Sequence, residues 1–165
     1  MHAVDREVIS QILAWLRSGS RCWLATVAAT WGSSPRPVGS LLGCNSDGVL
    51  VGSLSGGCVE DDLQEKLLNG ELAADHAQLF RYGVTTEETE KFGLPCGGHL
   101  DIIIEPQKVN NQTIDQFEQL YQALHERRWI LRTVNLNSDA VALTSASEPA
   151  PLNWSADTQL LKHTY

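Results

Sequence analysis

The stretch Gly52-Ser53-Leu54-Ser55-Gly56-Gly57-Cys58-Val59-Glu60-Asp61-Asp62 organises the sequence, because a strand changes into a helix within it. The apolar run Val49-Leu50-Val51 comes just before and predicts a short strand. Residues 63–68 follow with apolar side chains at helical spacing, which predicts a helix. The Ser55-Gly56-Gly57 turn is therefore expected where a strand leads into a helix.

The composition of this turn is typical of a ligand site. Its two glycines permit backbone conformations that a Cβ would forbid, and they let a ligand approach the main chain. The N–H groups of the first helical turn, with the positive end of the helix dipole, suit an anion such as phosphate. Cys58 would lie in that turn, where the pKa of a thiol falls and the thiolate is enriched. Glu60, Asp61 and Asp62 favour the helix start but oppose both a thiolate and a bound anion. An ordinary tight turn with a buried, inert cysteine is the alternative interpretation.

A second turn of the same kind is Gly93-Leu94-Pro95-Cys96-Gly97-Gly98-His99, followed by a predicted strand from Leu100 to Glu105 that Pro106 ends. A cysteine again lies beside a Gly-Gly pair at the edge of a strand, which indicates that Cys58 and Cys96 act together. The Cys96-x-x-His99 spacing also suits a metal and, with Cys58, would give three ligands and an open position. We interpret His99 first as an exposed residue that opens the strand, and Cys96 as functional.

The loop from Thr30 to Gly39 contains the third candidate group. Arg36 stands between two prolines, which restrict the backbone and lower the entropy lost on ordering it. Its planar guanidinium can grip a phosphate or carboxylate with two hydrogen bonds, although pairing with an acidic neighbour is an alternative. Residues 40–45 and 48–52 flank Ser46-Asp47-Gly48 and predict a hairpin. This hairpin would bring the Arg36 loop and the Ser55–Cys58 turn to one end of a sheet.

The rest of the chain predicts one α+β (or α/β) domain with a mixed sheet flanked by helices. Residues 145–165 lose periodicity and contain Pro149 and Pro151, so they are interpreted as a tail or linker toward an absent second domain, after a domain of residues 1–144. The other predicted elements are helices ending near Ser18, from Cys58 to Leu68 and from 111 to 127, and strands at 21–28, 77–82, 129–134 and 140–143.

The composition bounds the possible partners and the compartment. The chain has 165 residues, 42% of them hydrophobic and 19% charged, which is typical of a globular domain. A net charge of -8 argues against nucleic acid or an anionic membrane as the main partner. The sequence shows neither a signal peptide nor an apolar run that would span a bilayer, so a cytoplasmic protein is expected. Its 4 cysteines, Cys22, Cys44, Cys58 and Cys96, are then expected as thiols, ligands or nucleophiles rather than disulfides.

The three motifs together resemble the N-terminal domain of XdhC/CoxI proteins, which are accessory factors of xanthine dehydrogenase and related molybdenum hydroxylases. The motifs are Gly32-Ser33-Ser34-Pro35-Arg36, Gly52-x-x-Ser55-Gly56-Gly57-Cys58-Val59-Glu60, and Cys96-Gly97-Gly98 before an isoleucine-rich strand. The resemblance spans roughly residues 14–106. Many members of this family continue into a second, Rossmann-like domain.

The resemblance implies a chaperone that binds molybdenum cofactor (molybdopterin) as cargo. Such a protein would assist sulfuration of the cofactor with a cysteine desulfurase and its insertion into a molybdenum hydroxylase apo-enzyme. The cofactor-binding residues would be Ser33, Ser34, Arg36, Ser55, Gly56, Gly57, Cys58, Cys96, Gly97 and Gly98. Cys58 and Cys96 would meet the thiophilic molybdenum, or Cys58 would carry sulfur as a persulfide. A homo-oligomer is compatible with this role.

Two alternatives stay open at the level of the sequence. The first is a sulfur-transfer enzyme in which Cys58 is a nucleophile activated by the helix N-terminus. The second is a small metalloprotein that uses Cys58, Cys96 and His99. A carrier is favoured over a catalyst, because the sequence places no base beside Cys58.

Overall fold

The computed structural model describes residues 1, 3–31, 36–57, 59–83, 87, 91 and 99–165. Within these ranges the helices are α1 (Ala3–Arg17), α2 (Glu60–Leu68) and α3 (Asn111–His125). The strands are β1 (Cys22–Trp31), β2 (Leu41–Asn45), β3 (Leu50–Gly52), β4 (Gln78–Tyr82), β5 (His99–Gln107), β6 (Trp129–Asn135), β7 (Val141–Ala146), β8 (Asn153–Ser155) and β9 (Leu160–Thr164). The predicted elements up to β7 are thus present, with bounds that differ by a few residues.

The strands form two sheets, and the α+β fold class is confirmed. The first sheet has the order β3-β2-β1-β5-β4 and the second β7-β6-β9-β8. Every described pairing is antiparallel, so the single mixed sheet that the sequence predicts is wrong in this respect. Hairpin connections such as Ser46-Asp47-Gly48 return the chain at once, whereas parallel strands need a long crossover.

The first sheet is covered on both faces because side chains alternate along β1. Trp23, Ala25 and Val27 pack with the buried face of α2. Cys22 and Leu24 point to the other face and pack against α1 and α3. The second sheet packs beside these helices, where Ile103 of β5 meets Val134 and Leu161. The strands are therefore part of the buried core, and the segments that connect them leave the first sheet at its ends.

The end of the chain corrects one sequence interpretation. Residues 145–165, predicted as a tail or linker, contain β8 and β9, and β9 lies between β6 and β8. Leu161 and Tyr165 are almost fully buried. The alternation in β9 covers only five residues, and its partner β6 is distant in the sequence, so the local pattern gave no sufficient signal.

A smaller correction concerns Pro106, which does not end β5. The strand continues to Gln107, and Pro106 lies opposite Trp23 of β1. The pairing of β4 with β5 reaches only Ile104, so β5 has a free edge at Pro106. A proline is tolerated there because no ladder hydrogen bond needs its missing N–H.

Candidate functional site

The register of the first sheet places the strand ends that flank the three motif segments at one end of the sheet. Trp31 at the end of β1 pairs with His99, and Tyr82 at the end of β4 pairs with Leu100. On the other side of β1, Thr26 pairs with Leu41 at the start of β2, which in turn runs beside the end of β3. The segments that connect β1 to β2, β3 to α2, and β4 to β5 therefore all leave the sheet at this end, which we call the motif end.

Arg36 links two of these segments, as the hairpin predicted. Its Nε donates a hydrogen bond to the carbonyl of Ser53 at 3.3 Å. Its Nη2 lies 2.9 Å from the carboxylate of Asp5 in α1, and this carboxylate also accepts the backbone N–H of Leu41. Both partners of the ion pair are largely buried. Asp5 is thus the acidic partner that the alternative interpretation of Arg36 predicts. The binding of a ligand by Arg36 stays a prediction.

Glu60, the first residue of α2, organises the loop that precedes it. Its Oε1 accepts the backbone N–H groups of Leu54 at 2.8 Å and Ser55 at 2.9 Å. Its Oε2 accepts the hydroxyl of Ser55 at 2.8 Å and the N–H of Val59 at 3.2 Å. The glutamate is buried, with 7% of its surface exposed. It therefore holds the loop from inside, in place of the side-chain cap that Val59 lacks.

This carboxylate remains ionised under ordinary conditions. Burial acts to raise its pKa, but the hydrogen bonds from the loop outweigh burial, and the pKa of Glu60 is lowered. The Ser55 N–H that the sequence assigns to a bound phosphate is thus already bonded to an internal anion. A second anion at the same amides would meet electrostatic repulsion at close range.

The glycines of the loop differ in their surroundings. Gly56 and Gly57 are exposed and have φ values of 77° and 109°. Among the described residues, no atom lies within 4 Å of where a Cβ on Gly57 would be. A Cβ on Gly52 would lie 2.3 Å from the carbonyl oxygen of Leu41. Gly52 thus serves close packing, whereas Gly56 and Gly57 are exposed, with the N–H of Gly56 donating a hydrogen bond to Oγ of Ser53 at 2.9 Å.

The motif end also contains an aromatic pair that the sequence did not indicate. The indole of Trp31 stacks on the imidazole of His99, with centroids 4.0 Å apart, and 43% of Trp31 is exposed. The guanidinium of Arg81 lies 5.1 Å from the Trp31 ring and binds Asp101 at 2.6 Å. Cross-strand register creates this group, and no local spacing in the sequence would have revealed it.

The four cysteines of the chain differ in whether the structure describes them. Cys58 and Cys96 lie outside the described residues, as do Ser33, Ser34, Gly97 and Gly98. In the described part, the other two cysteines, Cys22 and Cys44, are buried in the core. Burial, followed by the nearby Cys44, raises the pKa of Cys22 to about 12, and burial raises that of Cys44 to about 11. Both are therefore inert thiols at neutral pH.

The described residues contain neither a cluster of metal ligands nor a helix that could span a membrane. Within the described ranges, the His, Cys, Asp and Glu side chains form no group of three or more that would hold a metal ion. Over the same part of the chain, no helix combines the length and the apolar character that crossing a bilayer requires.

Comparison with known proteins finds a family model that matches the segment containing the Glu60 loop. The XdhC and CoxI family model matches residues 15–83. This match runs from α1 to the end of β4 and includes Arg36, the Ser55–Gly57 turn and Glu60. The XdhC and CoxI resemblance is thereby confirmed for two of the three motifs, while the Cys96 turn lies beyond the matched segment.

Two further proteins share parts of this likeness. A Bacillus subtilis (strain 168) protein described as a probable xanthine dehydrogenase subunit is 24% identical over 127 residues, which are 76% of this chain and 38% of that protein. A crystal structure of a xanthine dehydrogenase from Bacillus halodurans superposes with a TM-score of 0.68 at 21% identity. It covers 98% of this chain, and this chain spans 52% of it. The superposition shows a common fold, and the chain spans only part of the length of both proteins.

Proposed function

We propose that this chain binds molybdenum cofactor at the motif end and is a cytoplasmic accessory protein, or chaperone, of a xanthine-dehydrogenase-type molybdenum hydroxylase. The observation that supports the proposal is that the strand ends flanking the three motif segments lie at one end of the first sheet. The XdhC and CoxI match over residues 15–83 and the descriptions of both relatives support the same context.

Some of the described residues at the motif end are available to a cargo, and others are already bonded within the protein. Gly56 and Gly57 expose their backbone, so a flat ligand can approach them closely. The N–H and hydroxyl of Ser55 are bonded to Glu60, which argues against a direct contact of Ser55 with a phosphate. In our proposal Ser55 and Glu60 therefore position the turn, and the residues beyond it contact the cargo.

The thiols of Cys58 and Cys96 are proposed to face the molybdenum centre. Thiolates are soft ligands and suit a thiophilic metal. Residue 58 directly follows the exposed Gly57, and residue 96 belongs to the segment between β4 and β5 that also leaves the motif end. The same site would hold the cofactor during sulfuration by a cysteine desulfurase and release it to the apo-hydroxylase.

The experiment is a retention assay with isolated molybdopterin cofactor. Purified chain is mixed with the cofactor, separated by gel filtration, and the pterin in the protein fraction is measured by fluorescence after oxidation. We expect near-equimolar retention by the unmodified chain and strongly reduced retention by Cys58→Ala and Cys96→Ala. Cys44→Ala is the matched control, because it removes a thiol from the core and leaves the motif end unchanged.

The outcomes separate the parts of the proposal. Absence of pterin in the protein fraction would overturn cofactor binding altogether. Equal retention by both cysteine variants and the Cys44→Ala control would remove the thiols from the site. Co-purification with a candidate apo-hydroxylase tests the partner, and transfer of the bound pterin to that enzyme tests delivery.

A further inference from the structure

A pocket lies away from the three sequence motifs, at the junction of α1, α3 and β6. It has a volume of about 270 Å³ and is lined by Arg6, Arg127 and Arg128 together with Met1, Leu124, Trp129 and Tyr165. The described lining contains three guanidinium groups and no acidic side chain, although the whole chain has a net charge of -8. Such a local reversal of charge favours an anionic occupant.

Two of these arginines are available for a ligand. Arg6 and Arg127 are exposed, and within the described part of the chain they form no ion pair. Arg128 is bonded to Glu126 at 2.6 Å, on an exposed surface where such a pair is weak. A guanidinium offers several donors in one plane and binds carboxylate or phosphate with two hydrogen bonds.

The backbone conformation of Arg127 is unfavourable for a residue that carries a side chain. The last turn of α3 closes with hydrogen bonds from Arg127 N–H to the Leu124 carbonyl and from Arg128 N–H to the Ala123 carbonyl. This is the Schellman arrangement, whose left-handed position favours glycine. Arg127 occupies that position with φ 57°. A side chain at a strained backbone position of this kind points to a functional constraint.

The position of Arg6 is also unfavourable for the helix that bears it. Arg6 lies in the first turn of α1, where the helix dipole favours negative and disfavours positive side chains. The C-terminal end of the α3 dipole favours a cation such as Arg127. The N-terminal end of the α1 dipole disfavours Arg6. The two arginines converge on one pocket despite these local costs.

The remaining walls favour a ligand with a planar ring. The indole of Trp129 is half-buried, and Leu124 supplies further apolar surface. Aromatic rings stack on indole and on guanidinium planes. We propose that this pocket binds a small molecule with a planar aromatic ring and a phosphate or carboxylate group.

The test is isothermal titration calorimetry of the full chain with three probes. Adenosine 5′-monophosphate carries both features, inorganic phosphate carries the anion alone, and adenosine carries the ring alone. We expect the monophosphate to bind more tightly than either partial probe, with an affinity that falls as sodium chloride is added. Equal affinity for inorganic phosphate and the monophosphate would overturn the assignment of the ring.

The variants separate binding from folding. Arg127→Gly relieves the left-handed strain, so we expect an unchanged or higher Tm together with at least a tenfold loss of affinity for the monophosphate. Arg6→Gln should weaken binding as well. Arg21→Gln is the charge-matched control, because Arg21 is exposed and lies over Trp23 outside the pocket. Failure of the monophosphate to bind, or equal affinity in all variants, would overturn the proposal, and either result is independent of the cofactor assay.

Discussion

The carboxylate of Glu60 accepts hydrogen bonds from several backbone N–H groups of the loop before α2. Five hydrogen bonds, from Ser53, Leu54, Ser55 and Val59, end on its two oxygens at 2.8 to 3.3 Å. Hydrogen bonds to a charged group contribute more than neutral ones, and an unsatisfied buried N–H is costly. The conformation of the loop before α2 therefore depends on the charge of this side chain.

Replacement of Glu60 by glutamine tests this dependence. Glu60→Gln keeps the size of the side chain but removes the charge and turns one acceptor into a donor, so we expect the free energy of unfolding to fall by about 2 kcal/mol. Urea denaturation measures this. Asp61→Asn is the control, because Asp61 is exposed on the same helical turn and its replacement should cost less than about 0.5 kcal/mol. Equal stability of both variants would contradict the role of Glu60.

The lowered pKa of the buried His163 makes the stability of the fold depend on pH. Burial, followed by the charges of Arg132 and of the N-terminus, lowers the pKa of His163 to about 4 from an ordinary value of 6.5. The folded chain then binds fewer protons than the unfolded chain between these values. The contribution of His163 to the free energy of unfolding is therefore complete above pH 6.5. It falls by about 3 kcal/mol in total as the pH drops toward 4.

Urea unfolding at a series of pH values between about 7 and 4 checks this prediction. The free energy of unfolding should fall steadily over that range in the unmodified chain and less steeply in His163→Gln. The lowered pKa of Glu60 acts at more acidic pH, since its stabilising effect is present above its unfolded value and is lost below it. Identical pH slopes for the two proteins would contradict the lowered pKa, because they would show that His163 binds its proton equally in the folded and unfolded chains.

At the scale of elements, β3 and β2 approach so closely that only glycine fits at residue 52. Gly52 has φ 87°, and a Cβ there would lie 2.5 Å from Cγ2 of Val8 in addition to its clash with Leu41. We expect Gly52→Ala to cost about 3 kcal/mol or more, because both the backbone conformation and the packing oppose it. Gly57→Ala has a similar φ but no described atom within 4 Å of the added Cβ, and it should cost only about 1 kcal/mol. Thermal unfolding of both variants measures the difference.

The elements were predictable wherever their signal is local. The apolar stripe of α1, the hairpin of β2 and β3 and the isoleucine run of β5 each follow from a few neighbouring residues. The strands β8 and β9 were missed because their stability comes from pairing with each other and with distant β6. The approach of the Arg36 loop to the segment after β3 followed from the hairpin. The Glu60 hydrogen bonds depend on the conformation of the loop before α2, and the Trp31–His99 stack depends on cross-strand register, neither of which spacing alone encodes.

At the scale of the whole molecule, a buried ion pair joins the two sheets. Arg132 of β6 contacts Glu105 of β5 with two hydrogen bonds, at 2.9 and 2.6 Å, and both side chains are nearly inaccessible. The guanidinium also lies 5.9 Å from the ring of Phe117 in α3. The first sheet, the second sheet and α3 thus meet at one charged group.

Removal of one partner of this pair should be much worse than removal of both. Arg132→Met leaves Glu105 buried without its cation, and we expect a loss of about 3–5 kcal/mol. The double variant Glu105→Leu/Arg132→Met leaves no buried charge at this position and should recover most of that loss. A double-mutant cycle by urea denaturation gives the coupling energy. Additive losses would show that the two sheets are held together without this pair.

The internal carboxylate of Glu60 has a consequence for any guest at the motif end. Because the loop is folded around its own acid, its peptide groups need no external anion to become ordered. Binding at the exposed Gly57 and beyond would then require little loss of backbone entropy, which raises affinity without any added contact. The same acid biases the choice of guest toward groups without negative charge on the side that meets the loop.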